Sequence, residues 1–271
     1  MIIDQGAGGM NDVVVRALCR VAEKELGQPI VCENKPGGAG TLAVNTVIKS
    51  KADGYTLGIS SFSTNIYKPH MEKLSFDVRT DQTDIAVYLK YTHALCVKAD
   101  APWKTFEEVI AYARKNPGKF NYSTAGIGST QHIVMERIAM KEKIKWSSVP
   151  FKSGSESVLA CLGGHVNATA AGPADVIPHI EAGKLRLLFS FVDYRWPVAP
   201  NIPCALEKYG FGGETYKSIM GPVGVPDAIV EKLQNAVKKA VDDPVYVQLA
   251  KTLQFDRCYM SGKDYSKLWR S

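Results

Sequence analysis

Long apolar runs are missing from this chain. The longest near-continuous one, Leu185 to Val192, is broken by Ser190 and falls far short of the ~20 residues that a membrane-spanning helix needs. Cysteine pairs at metal-binding spacing are missing too: Cys19, Cys32, Cys96, Cys161, Cys204 and Cys258 form no CxxC, which excludes a zinc-type pair. Their wide scatter in a long chain marks small buried hydrophobes rather than a disulfide scaffold. The histidines at 70, 93, 132, 165 and 179 show no HxxxH or HExxH spacing, so no metal site is expected. A GxxxxGK[ST] loop and a GxSxG elbow are both absent, and Gly6-Ala7-Gly8 lacks the third glycine of the dinucleotide fingerprint, so no cofactor is expected. No basic stripe with interleaved aromatics occurs, although 33 Lys and Arg outnumber 27 Asp and Glu for a net charge of +6. Nucleic acid is therefore not an expected partner, whereas small acidic ligands suit a mildly basic protein. No signal peptide is expected within this sequence, because Met1-Ile2-Ile3 meets Asp4 at once; the expectation is either a cytosolic protein or one whose export segment has been removed.

What is present is ordinary globular material. The chain has 271 residues, 45% hydrophobic and 22% charged, which suits two domains of ~150 residues and excludes disorder and fibrous repeats. Met1-Ile2-Ile3 reads as the end of a buried strand, followed by Gly6-Ala7-Gly8-Gly9 and an apolar helical pattern from Val14 to Leu26. Gly27 and Pro29 stop that helix. The cycle repeats with a strand at 29–33, a second glycine turn at 34–40, a helix at 41–49 and a strand at 55–59. Such alternation predicts an α/β fold with mostly parallel sheets flanked by helices. Further on, Thr105 caps a helix through Lys115, and Phe120 to Ser123 is a strand. Thr124-Ala125-Gly126-Ile127-Gly128-Ser129-Thr130 then repeats the glycine-turn pattern ahead of another helix. The pattern changes near residues 100 and 218. Two lobes are expected, 1–98 plus 220–271 and 99–219, with the ligand cleft between them, because ligands in open α/β sheets lie at the carboxyl ends of strands.

The two glycine turns carry the chemistry. Each exposes backbone N–H groups at the positive end of a helix dipole, an anion site that needs no Lys or Arg. Read singly, each is only a tight connection; one in each lobe makes a dianion clamp. Ala7, Gly8 and Gly9 are the expected ligand residues of lobe one. Ser123, Thr124, Ala125, Gly126, Gly128, Ser129 and Thr130 are those of lobe two. Selectivity is assigned to Asn11, Phe62, Ser63, Asn65 and Asp175, which sit in or beside turns that follow strands. Phe62 has a second reading as a core anchor under its loop. The alternative from another class is an ester hydrolase with Ser129 or His132 catalytic, for which three residues on one helix is poor spacing.

These residues, read in order, resemble the periplasmic substrate-binding receptors of tripartite tricarboxylate transporters, the Bug proteins. Gly6 to Asp12 is similar to the family's P-x-G-G-x-x-D opening, with Met10-Asn11 where Ser-Thr or Gly-Thr is usual. Leu26 to Val31, Asn34 to Gly40, and Ala52-Asp53-Gly54-Tyr55-Thr56-Leu57 follow at family spacing. Ile110 to Tyr122 is the most specific stretch, extended by Val149 to Lys152, Leu162 to Val166, Ala182 to Arg186 and Gly221 to Pro226. The resemblance implies a two-lobe periplasmic binding protein, a type II-like Venus flytrap, that makes and breaks no bond. It implies capture of a small carboxylate (a di- or tricarboxylate, an aromatic carboxylate or an amino acid), delivery to membrane permease subunits, and action as a monomer. It also implies a periplasmic location, with the signal peptide and the start of the first strand expected to be lost from this chain.

Overall fold

The computed structural model describes residues 1–192, 196 and 198–270. Along the chain come β1 (Ile2–Ile3), α1 (Met10–Leu26), β2 (Glu33–Asn34), α2 (Thr41–Ile48), β3 (Gly58–Ser61), α3 (Lys68–Met71), β4 (Gln82–Tyr91), β5 (Ala94–Lys98), α4 (Phe106–Lys115), β6 (Asn121–Thr124) and α5 (Thr130–Glu142). There follow β7 (Ser147–Pro150), α6 (Gly154–Leu162), β8 (Ala168–Ala171), α7 (Pro173–Glu181), β9 (Leu185–Ser190), α8 (Ala205–Tyr209), β10 (Thr215–Pro222), α9 (Asp227–Asp242), α10 (Pro244–Leu253), β11 (Asp256–Ser261) and α11 (Gly262–Arg270). Among the described residues no helix is long and apolar enough to cross a membrane.

Local chemistry sets the helix ends. Gly27 closes α1 in the left-handed region at φ 68°, where a side chain would be strained. Thr105 and Glu108 form a reciprocal capping box at the start of α4, as the Thr-x-x-Glu pattern requires. Pro226 precedes α9 and Pro244 opens α10, positions at which a missing N–H is harmless.

The chain divides into two compact units, Met1–Lys90 with Thr215–Ser271, and Tyr91–Glu214. The divisions fall earlier than the expected 98 and 219 because β5 and Lys98 belong to the second sheet and β10 starts in the first. Unit 1 holds a sheet in the order β11-β4-β10-β3-β1-β2, and unit 2 one in the order β7-β6-β8-β5-β9. The sheets are mixed, not mostly parallel. β1 runs parallel to β2 and β3, and β6 parallel to β7 and β8. By contrast β10 is antiparallel to β3, β11 to β4, and β5 to both β8 and β9. Strands joined by helical crossovers come out parallel. Strands on which the chain enters a unit begin at the carboxyl ends of that parallel set, with Ala94 opposite Ala171 and Lys217 opposite Ser61, so they run against it.

Each unit thus repeats one motif: a central strand, β1 or β6, flanked by two parallel neighbours and followed by a glycine turn and a long helix. Val14, Val15 and Leu18 anchor α1 in the unit 1 core, and α5 buries Val134, Met135 and Ile138 in that of unit 2. At the chain's end Tyr265 and Trp269 bury α11, and the Trp269 indole donates to Asp84 Oδ2 at 2.9 Å. Desolvation raises the Asp84 carboxyl above its ordinary value despite bonds from Ser266 and Trp269.

Candidate functional site

In unit 1 the turn after β1 is held by its own neighbours. Gly9 N–H donates to Gly6 O at 3.2 Å, Gly8 N–H to Asp12 Oδ2 at 3.0 Å, and Asn11 N–H to Gln5 Oε1 at 3.1 Å. Gly8 sits at φ 77°, which makes glycine the natural residue there. The N-cap of α1 is Gly9, which has no side chain of its own to cap the helix. The N–H groups of Ala7 and Met10 have no acceptor among the described residues. A Cβ built on Gly6 or Gly8 would meet nothing within 4 Å. The turn therefore offers unclaimed donors at a positive helix end, beside open space.

Two acids lie close to this turn, and both are neutralised internally. Asp4 accepts Asn11 Nδ2 at 2.6 Å and Lys217 Nζ at 2.7 Å, with Asp4 and Lys217 both buried. Asp12 takes Arg16 Nε and Asn34 Nδ2 on Oδ1, each at 2.8 Å. Its desolvation is outweighed by those bonds and the one from Gly8, so its carboxyl is held below the ordinary range. An incoming anion meets paired charges rather than bare carboxylates. Asp4, Lys217 and Asp12 were not legible as site residues in the sequence; the acid three residues after Gly9 was the one available hint.

Asn11, expected to select ligands, is instead a strut. Its Nδ2 donates to Asp4, and its Oδ1 accepts the Tyr88 hydroxyl at 3.1 Å. Phe62 takes the core-anchor reading: its ring lies 5.1 Å from Tyr216 and 6.0 Å from Tyr265, in the cluster that buries Trp269. Ser63 is buried, with Oγ directed to Ala39 O at 3.5 Å. Asn65 differs from all of these. Ser60 Oγ donates to its Oδ1 at 2.6 Å, which fixes the amide, while its buried Nδ2 has no partner. Gly40 ties the three turns of unit 1 together, since a Cβ there would lie 2.9 Å from Thr64 Cγ2 and 3.4 Å from Asp4 Oδ2.

In unit 2 the turn after β6 has the same build. Gly126 and Gly128 lie at φ 123° and 80°. Ser129 N–H donates to Gly126 O at 3.2 Å, and Ser129 Oγ caps α5 by accepting His132 N–H at 3.4 Å. Thr124 Oγ1 is in contact with Gly126 at 3.4 Å, and the N–H groups of Ala125 and Thr130 have no acceptor among the described residues. Ser123 does not belong to this set. Strand alternation turns it inward, where Oγ donates to Ser157 O at 2.8 Å within a buried hydroxyl chain that runs on to Thr169.

Asp175, three residues into α7 by way of Pro173, accepts Ser155 Oγ at 2.9 Å. Its Oδ2 lies so close to Gly154 that a Cβ there would approach within 2.2 Å. Desolvation pushes this carboxyl up to about 6, and the single bond from Ser155 only partly opposes it. Ser155 and Gly154, the first residues of α6, were not anticipated.

The hydrolase alternative lacks its geometry. The imidazole Nδ1 of His132 accepts the Gly128 N–H at 3.3 Å, and the contact of Ser129 is with the His132 main chain, so this Ser–His pair is not poised for proton transfer. Among the described residues no three His, Cys, Asp or Glu side chains gather to hold a metal.

Comparison with known proteins adds an independent line. Residues 14–271 match the family described as the tripartite tricarboxylate transporter family receptor. The UPF0065 protein in the gbd 5′ region of Cupriavidus necator is 38% identical over 270 residues, which cover 98% of this chain and 81% of that one. A solved periplasmic transporter superposes with a TM-score of 0.90 at 26% identity, covering 99% of this chain and 91% of its own. MatC from Rhodopseudomonas palustris, solved with bound malate, superposes at 0.89 with 26% identity, over 99% of this chain and 94% of its own.

Proposed function

The chain belongs to the receptor family of tripartite tricarboxylate transporters, and on that premise we propose that it captures a small carboxylate on its glycine turns and hands it to the permease subunits of such a transporter. It is a solute-binding receptor and not an enzyme. The observation that carries the ligand class is the pair of turns at the starts of α1 and α5, each with unclaimed main-chain donors at the carboxyl end of a central parallel strand. Carboxylates suit such donors, because N–H groups at a helix start complement negative charge without a competing cation.

The malate bound to MatC supports a dicarboxylate that also bears a hydroxyl or ammonium group. Asp175, ionised at neutral pH, would accept a hydrogen bond from that substituent, and Asn65 Nδ2 would donate to a ligand oxygen. Ser63 and Thr124 frame their respective turns. The protein would work as a monomer in the periplasm, since each turn is completed by residues of its own chain.

A thermal-shift series with malate, succinate, aspartate and benzoate tests the reading, because a ligand that binds only the native state raises the melting temperature. Malate or aspartate should give the largest rise, and Asn65→Leu should reduce it. A series in which no carboxylate moves the transition would overturn the proposal.

A further inference from the structure

β2 lies along α1 in a register that side chains mark at both ends. At one end Asn34 donates to Asp12 Oδ1 and accepts Arg16 Nη2, each at 2.8 Å. At the other the Ile30 N–H donates to Glu23 Oε1 at 2.7 Å. The segment from 34 back to 30 therefore runs beside the helix from 12 to 23. Cys32 lies midway on the extended segment, on the same side as Asn34 by the two-residue alternation. Cys19 lies midway on the helix, three residues past Arg16 and four before Glu23, hence on the same face. That register turns the two thiols toward each other, close enough for each to shift the other's ionisation, while the Cys32 thiol also donates to Ile30 O at 3.9 Å. Both are free. Cys19 is buried, while Cys32 is half-buried between the exposed Val31 and Glu33.

The thiols are unequal. The neighbouring Cys19 thiol holds Cys32 down at about 7, and the same neighbourhood, with burial, pushes Cys19 up. A reachable thiolate beside a shielded thiol has the layout of an attacking and a resolving cysteine. The other close pair, Cys96 with Cys161, is buried in a unit 2 core cluster, where solvent does not reach it.

We propose that Cys19 and Cys32 are a thiol–disulfide exchange site that closes into an intramolecular disulfide and staples the second half of α1 to the segment entering β2. The oxidant is a protein disulfide or glutathione disulfide, a class that proteins outside the cytoplasm meet. The Cys32 thiolate attacks one sulfur of the donor R–S–S–R, forming a mixed disulfide and releasing one thiolate. Cys19, on losing its proton, attacks the Cys32 sulfur and releases the second. The protein loses two electrons and two protons, and the donor leaves as two thiols.

The test treats the full chain with glutathione disulfide, alkylates it, and maps its peptides without reduction. The expected product is one cross-linked pair holding Cys19 and Cys32, with an intact mass lower by two hydrogens and a Tm that falls on adding dithiothreitol. Cys32→Ser and Cys19→Ser should each remove the mass change and the reductant dependence, whereas Cys258→Ser should keep both. Should a serine variant not fold, the wild-type peptide map decides alone. Full alkylation of Cys19 and Cys32 after oxidation, a glutathione adduct on Cys32 that never resolves, or a cross-link between any other pair would each overturn the proposal.

Discussion

Lys217 and Asp4 form a buried ion pair at 2.7 Å although 213 residues separate them in the chain. Asp4 follows β1 directly, just before the glycine turn, so the pair clamps the root of that turn to β10. Asp4→Asn leaves an ammonium without its counter-charge, which typically costs ~3–5 kcal/mol. Urea denaturation should show a loss on that scale. Pairing the change with Lys217→Met should recover part of it, because the stranded charge is gone. Equal stability of Asp4→Asn and wild type would mean that the pair holds nothing.

Asp12 governs the shape of the same turn. Its lowered carboxyl pKa means that its contribution is present above the unfolded value of ~3.9 and is lost as pH falls through the lower folded value. Asp12→Asn should therefore destabilise by ~1–3 kcal/mol at neutral pH, with the gap to wild type closing under strong acid. Unfolding curves at both pH values check this; a gap that persists in acid removes the charge from the explanation.

Gly6 separates structure from recognition. A Cβ there meets nothing, and Gly6 is not among the positive-φ residues. Gly6→Ala should keep the melting temperature of the free protein and weaken carboxylate binding measured by calorimetry. At Gly8 the same substitution adds backbone strain at φ 77°, so stability should fall as well, by ~1 kcal/mol. Unchanged affinity in Gly6→Ala would place the ligand away from this face of the turn.

Asp175 carries a pH signature of the opposite sign. Its carboxyl, raised to about 6, contributes stability that is complete below the unfolded value of ~3.9 and lost as pH rises through the folded one. Asp175→Asn should flatten the melting temperature across that window and stabilise the free protein by up to ~3 kcal/mol at neutral pH. In a competition assay the same variant should shift preference from malate or aspartate toward succinate. An identical ranking of ligands would remove Asp175 from selectivity.

Much of the local architecture is legible in the sequence. The helix expected from Thr105 to Lys115 is α4, because Thr-x-x-Glu and Asn-Pro-Gly act within one turn of its ends. Both glycine turns fall between strand and helix, as their composition required. Strand direction was not legible, since nothing within β5 or β10 records that each begins at the carboxyl end of its neighbours. Strand length misled at residues 29–33: Ile30 and Val31 favour extended chain, but pairing with β1 begins only at Glu33. At the site, position along the chain located the turns but not side-chain commitments. Asn11, Phe62 and Ser123 stand where ligand residues should, and each is drawn inward by a partner remote in sequence: Tyr88, Tyr265 and Ser157.

Donors that belong to the main chain outlast changes of side chain. Replacing Ala7, Met10, Ala125 or Thr130 with any residue but proline leaves an N–H in place, so the carboxylate binding proposed for these turns resists mutation as long as glycines 8, 126 and 128 hold their shape. The selectivity proposed above rests on far fewer atoms, chiefly those of Asn65 and Asp175. In evolutionary terms the first trait is buffered and the second is exposed. Duplicated copies of such a gene could therefore drift apart in diet by one or two codons while every descendant remained a receptor for acids.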